Sequence, residues 1–274
     1  MALTTSLRRY AVRHSAVYLI THAPLLGRVT RTELRARYAG TLLGPAWALL
    51  GPLVLLGLYA VTYTMILRVQ VGGFEPTRYV LFIFAGLVPF LATAEALNQG
   101  VSSVLANKSL LSNTVFPIDL APVKAVLLAQ VPLAVGMALI LAGGAVFDGG
   151  VPWTAVLLPA VWLLHAITLV GLCWFLALFN VVLRDLQMLM AAALLALLII
   201  SPIAYTPDMV PDGLKFLVDL NPFAYFVVAY QKVLVLGQVP AGREWAVIAA
   251  VAGVSFAAGG RFFAALKKAI VDHV

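Results

Sequence analysis

The side chains that could do chemistry are few and scattered along this chain. Its four histidines, His14, His22, His165 and His273, sit far apart, and none falls at metal-ligand spacing with the single cysteine, Cys173. One cysteine allows no intrachain disulfide. The motifs G-x-x-x-x-G-K-[ST], H-E-x-x-H and G-x-S-x-G are all missing, so no catalytic or metal site is expected, and the chain cannot bind ATP in the usual way by itself. What remains is polar chemistry in unusual places. Glu95 interrupts an apolar stretch and heads a stripe with Asn98 and Ser102 at i, i+3 and i+7, Gln99 lying beside it. A carboxylate inside a span is costly and usually faces a bundle interior or a watery path. The stripe is therefore either an interhelical or dimer hydrogen-bond cluster or the lining of a substrate entrance. His165, also within an apolar stretch, is either a hydrogen-bonded packing residue or a proton or substrate group.

Arg28, Arg31 and Arg35 fall at i, i+3 and i+7 and make one basic stripe if residues 25–38 are helical. The opposite face is not cleanly apolar, because Glu33 and Arg37 intrude on it as an i, i+4 pair. A helix that only lies on lipid should not carry charge there. The segment is a headgroup anchor, a cytoplasmic interface helix that also touches a partner protein, or both.

The elements that must hold these groups follow from composition. Of 274 residues, 63% are hydrophobic and 11% charged, with mean hydropathy +1.02. Globular domains carry about 25% charged residues, so a soluble enzyme, a nucleic-acid-binding protein and a disordered chain are excluded. The reading is an all-α polytopic membrane protein. Six stretches reach the roughly twenty apolar residues that a crossing helix needs: 43–67, 79–105, 120–147, 153–180, 186–205 and 245–265. Leu194 and Leu198 on the fifth are expected to face lipid. Residues 206–243 are apolar but broken by Pro207, Pro211, Pro222, Pro240, Gly213 and Gly237, which predicts a re-entrant or interfacial hairpin.

The net charge of +7 is placed asymmetrically. With both termini inside, Arg8, Arg9, Arg13, Arg28, Arg31, Arg35, Arg37, Lys108, Lys124, Arg184, Arg261, Lys267 and Lys268 are cytoplasmic. Only Arg68, Arg78, Lys215, Lys232 and Arg243 lie outside. The organisation expected is a cytoplasmic segment 1–42 with a basic interface helix, then a six-span domain 43–274. The loop from Asn107 to Asp119 is either a connector or a docking surface, since it exposes Leu110, Leu111, Val115 and Phe116. Tyr59 and Tyr63, at i, i+4 on the first stretch, are packing or belt aromatics, or a lining on which sugars stack.

Taken in order, these segments resemble the membrane subunit of ABC-type polysaccharide exporters, from about residue 25 to 268. The carrying motifs are Arg37-Tyr38, Leu43-Gly44, Trp47 and Pro52; Gly86-Leu87-Val88-Pro89-Phe90; and Asn107, Leu110-Leu111, Phe116-Pro117 and Pro122. Later come Asn180-Val181-Val182-Leu183-Arg184-Asp185, Ser201-Pro202-Ile203-Ala204-Tyr205, Pro211 and Asn221-Pro222. The family often has tryptophan where this chain has Phe90.

The resemblance implies a homodimeric pore with two separately encoded ATP-binding cassette subunits. These hold the ATP and Mg, so the chain itself has no cofactor and is not an enzyme. Lipid-linked polysaccharide would move outward across the inner (plasma) membrane along a path of Trp47, Tyr59, Tyr63, Phe90, Glu95, Asn98 and Ser102. The interface helix (Arg28, Arg31, Arg35, Arg37, Tyr38) would lie near the pore entrance. Asn107, Leu110, Leu111, Phe116 and Pro117 would dock the ATPase, and Pro207, Pro211, Asn221 and Pro222 would shape the outer gate. Teichoic acid, a drug or a small lipid are alternative cargoes. A membrane glycosyl- or acyltransferase would need a carboxylate or histidine pair, for which Glu95 and Asp185 are the candidates by type.

Overall fold

A computed structural model describes residues 17–66, 75–107 and 117–271. Every regular element among them is helical. Helix α1 is Ala23–Tyr38, α2 is Trp47–Ala60 (continued by a wide turn, Val61–Ile66), α3 is Pro76–Ala106 and α4 is Leu120–Phe147. Then follow α5, Leu158–Val182, entered through a tight turn at Trp153–Leu157; α6, Leu186–Ile200; the short α7, Lys215–Asp219; α8, Pro222–Gln231, continued by a second wide turn, Lys232–Leu236; and α9, Gly242–Val271.

Among the described residues, four helices are long and apolar enough to cross a membrane: Pro76–Ala106, Leu120–Phe147, Trp153–Val182 and Gly242–Leu266. They coincide with four of the six apolar stretches. The other two stretches hold shorter apolar helices, α2 and α6. Helix α3 is the central one: 78% of its apolar window is buried, against 44%, 39% and 28% for the other three. Those others keep a face open to lipid or to another chain.

The helices meet through glycines, as expected where lipid tails are as apolar as leucine and only close packing separates one apolar face from another. On α5, a Cβ built at Gly171 would lie 2.2 Å from the carbonyl carbon of Ser255 in α9. One built at Gly259 would lie 2.0 Å from the Gly171 oxygen. Ser255 and Gly259, one turn apart, thus form a small-x-x-x-small track that lets α5 and α9 touch backbone to backbone. Leu194 faces inward, 4% exposed in the core with α3 and α5, and Leu198 packs partly buried beside it. This corrects the expectation that they face lipid. The open face of α6 carries Met188, Leu195 and Ile199, 81%, 60% and 71% exposed. Apolarity alone cannot separate these two faces of a membrane helix.

The proline-broken region between α6 and α9 is threaded into the bundle, with α8 packed on α3, α5 and α9. Its backbone breaks leave carbonyls without helical donors, and side chains take them up. Gln231 Nε2 donates to the oxygens of Pro202 and Ile203, at 3.1 and 3.0 Å, and approaches that of Phe82 in α3 at 3.5 Å. Tyr79 donates to Ala204 O at 2.8 Å, Thr154 to Val233 O at 2.8 Å and Arg78 to Val235 O at 3.1 Å. Asn221 caps α8 by accepting the Phe223 N–H and donates to Ser201 Oγ at 2.9 Å. Buried non-helical backbone is tolerated where side chains satisfy it in this way.

Candidate functional site

The charges that intrude on the basic helix become intelligible in three dimensions. Helix α1 lies against the end of the bundle at which α3 finishes and α4 begins. Leu26, Glu33 and Arg37, at i, i+7 and i+11, share the face turned to it, and Leu26 is buried. Arg37 Nη1 pairs with Glu95 Oε1 at 2.5 Å, and Glu33 Oε2 with Lys124 Nζ at 2.5 Å. The i, i+4 pair expected between Glu33 and Arg37 is therefore replaced by two pairs of opposite polarity to the bundle. An exposed pair along one helix is worth only about 0.3–0.5 kcal/mol. Each charge gains more beside a partner that the bundle has partly desolvated. Arg28, Arg31 and Arg35 lie exposed on the other face, where Arg28 Nε donates to the Pro24 carbonyl at 3.3 Å.

Both clasps have further supports. Glu95 accepts from Gln99 Nε2 at 3.0 Å. Lys124, with a side chain 8% exposed, also donates to Asn107 Oδ1 at 3.3 Å, and the Asn107 amide donates to Ser103 O at 2.7 Å. Just before α1, Tyr18 neighbours Asp119. Burial and the Asp119 carboxylate push its hydroxyl up to about 12, so it remains a proton donor throughout the neutral range. Trp174 Nε1 holds the Asp119 carbonyl at 2.9 Å.

Above the Arg37–Glu95 pair runs a groove of about 220 Å³ between α2, α3 and α4. Its lining is apolar (Pro52, Leu55, Leu91 and Pro132 among others) except for Glu95. Of the other candidate path residues, Trp47 is 46% exposed at the start of α2 and Tyr59 is half-buried against the core. The backbone of Tyr63 lies in the wide turn, and its side chain is outside the described residues. Asn98 is exposed, and Ser102 is half-buried with its hydroxyl donating back to Gln99 O at 3.3 Å. Phe90 is 2% exposed and packs inside the protomer. The structure brings together α1, Glu95 and the groove; it does not bring Phe90 to that surface.

Leu110, Leu111 and Phe116 lie outside the described residues. Asn107 and Pro117, at the two ends of that loop, are half-buried. In the outer-gate set, Pro207 and Pro222 are half-buried, Pro211 is exposed and Asn221 is the buried cap described above. Asn180 is buried with Oδ1 unpaired, whereas Arg184 and Asp185 beyond it are exposed. His165 is fully buried, between Thr93 Oγ1 at 2.8 Å and the Tyr230 hydroxyl at 3.3 Å. No group of three His, Cys, Asp or Glu able to hold a metal occurs among the described residues.

Sequence reasoning missed two participants. Lys124 registered only as a charge that orients the chain, yet it anchors α1. Gln231 was passed over, although a lone amide in the apolar run 222–236 was a visible signal that buried backbone needed a donor.

An all-helical bundle with central α3, several apolar helices of membrane-crossing length and a basic helix clasped to one end is the architecture of a multi-pass membrane protein. The chain belongs to the ABC-2 type transporter family, whose pattern it matches over residues 24–235. It is similar to the O-antigen export system permease protein RfbA of Myxococcus xanthus, 25% identical over 258 residues, 93% of this chain and 97% of that one. It is also 25% identical to a protein of the same description from Klebsiella pneumoniae over 215 residues, 78% of this chain and 81% of that one.

Proposed function

We propose that the chain is the transmembrane subunit of an ATP-driven exporter that moves lipid-linked polysaccharide, an O-antigen-like glycan, from the cytoplasmic to the outer side of the inner membrane. The observation that carries this reading is the nearly end-to-end similarity to O-antigen export permeases. In this reading two copies form the pore and two separate ATP-binding cassette subunits hydrolyse ATP with Mg. Both termini are cytoplasmic. Helices α2 and α6, although short, count as the first and fifth of six spans, and residues 206–243 form a re-entrant hairpin at the outer side. Residues 1–42 are the cytoplasmic segment and 43–274 the transmembrane domain. Depleting the chain in its host is expected to leave lipid-linked glycan inside the cell while its synthesis continues. Undiminished glycan at the surface would overturn the reading.

The path itself is expected to pass Tyr59, Tyr63 and Glu95, because an amphiphilic glycan needs alternating polar and aromatic contacts. Single cysteines at these positions, in a Cys173→Ala background, should react with a water-soluble maleimide, and faster when ATP is supplied to the partner. Cysteines at Leu195 and Ile199, on the open face of α6, should stay inert. Equal inertness at all five positions would move the path elsewhere.

A further inference from the structure

We infer that Arg37 is an anion receptor held in reserve by Glu95, and that the multiply charged phosphate headgroup of the cargo opens the α1 clasp by taking the guanidinium from that carboxylate. This deepens, and rests on, the export reading above.

The two ion pairs of α1 are unequal. In the Glu33–Lys124 pair the cation is the buried member, its side chain 8% exposed, with the neutral Asn107 oxygen as its second partner. Withdrawing Glu33 would strand an ammonium in a place that water hardly reaches, which is the expensive way to break an ion pair. That pair is a fixed hinge. In the Arg37–Glu95 pair the cation is the open member, its side chain 40% exposed against 20% for Glu95. If Arg37 leaves, Glu95 keeps the hydrogen bond from Gln99. Neither group is stranded, so this pair can exchange.

What would take Arg37 away follows from its chemistry. A guanidinium offers five donors in a planar fork and binds phosphate through two of them at once. Its contact with Glu95 runs from Nη1 to Oε1. The singly charged diesters of the bulk bilayer surround α1 at all times, so a latch that they opened would never close. A pyrophosphate carries more charge and more acceptor oxygens, and it can outcompete one carboxylate. Exposed Arg28, Arg31 and Arg35 on the same helix raise the local concentration of such an anion. Glu95 is also the one acidic residue among the described residues that line the groove between α2, α3 and α4. Loss of Arg37 therefore frees the C-terminal end of α1 from the rim of that groove, while Glu33 and Lys124 hold the rest.

The test is a distance. Spin labels at Ala36→Cys and Asn98→Cys, both exposed, are placed in the Cys173→Ala chain complexed with its ATPase in phosphatidylcholine nanodiscs. Adding a long-chain isoprenyl pyrophosphate should lengthen the distance; the neutral isoprenol and phosphatidylglycerol should not. Glu95→Gln should lower the pyrophosphate concentration needed by about fivefold, the worth of an exposed ion pair. The exchange Arg37→Glu with Glu95→Arg should restore the short distance, which shows that it folds and pairs, and yet give no response. A response of the exchanged chain equal to that of the parent, or equal opening by phosphatidylglycerol or isoprenol, would overturn the inference. If depletion blocks export while the distance never changes, the latch fails and the export reading stands. If depletion leaves export intact, the export reading fails first.

Discussion

Replacing Gly171 with valine is expected to prevent accumulation of folded chain. A Cβ at this position would sit 2.2 Å from the Ser255 carbonyl carbon and 2.4 Å from the Phe256 nitrogen, and both are backbone atoms that no rotamer change can move aside. The helices α5 and α9 would have to separate along the contact on which the last span depends. Ordinary overpacking costs about 1–3 kcal/mol, and a clash with backbone on both sides should reach or exceed the top of that range. Gly259→Val, whose Cβ would meet the Gly171 oxygen at 2.0 Å, should behave alike. Gly253→Ala on the same helix is the control: it has nothing within 4 Å, and alanine suits a helix better than glycine. Size-exclusion profiles of the detergent-solubilised variants distinguish the outcomes. Monodisperse Gly171→Val protein at parental yield would mean that the close contact is dispensable.

The second large effect concerns coupling to the ATPase. The double change Leu111→Asp with Phe116→Asp should abolish co-purification of that subunit while the chain still inserts. Two apolar anchors of about 2 kcal/mol each correspond to roughly a thousandfold in affinity. Neither residue is among those described, but both ends of their loop are tied down. Asn107 is held to Lys124, and Asp119 to Trp174 and Tyr18. The described ends thus fix where the chain leaves and re-enters the bundle. Survival of the complex after the double change would place the docking surface elsewhere.

The long spans were legible because crossing a bilayer requires only length and apolarity, and Pro76–Ala106 supplies both without ambiguity. Which way their side chains point was not, because core and lipid make the same demand on Leu194 and Leu195. The oddity of Glu33, Arg37 and Glu95 was legible as charge where none should be. Their partners were not: Lys124 lies far along the chain from Glu33 and reads, in one dimension, like any basic residue beside a span. Glycines gave no signal at all, since Gly171, pressed against another helix, and Gly253, open on one side, look alike in a string.

The dependence of the broken segment on side-chain donors also sets an order of synthesis. The carbonyls of Pro202, Ile203 and Ala204 are quenched by Gln231 and by Tyr79, and Tyr79 lies on a helix made more than a hundred residues earlier. Until that helix is in the bilayer, and until the ribosome has gone on to add residue 231, those oxygens have no donor in hydrocarbon and are held more cheaply at the water interface. If the stretch from 201 to 241 is the re-entrant hairpin proposed above, it is expected to wait in the headgroup region until both donors are present. Settling of this segment against the bundle would then coincide with insertion of α9, which is made after it.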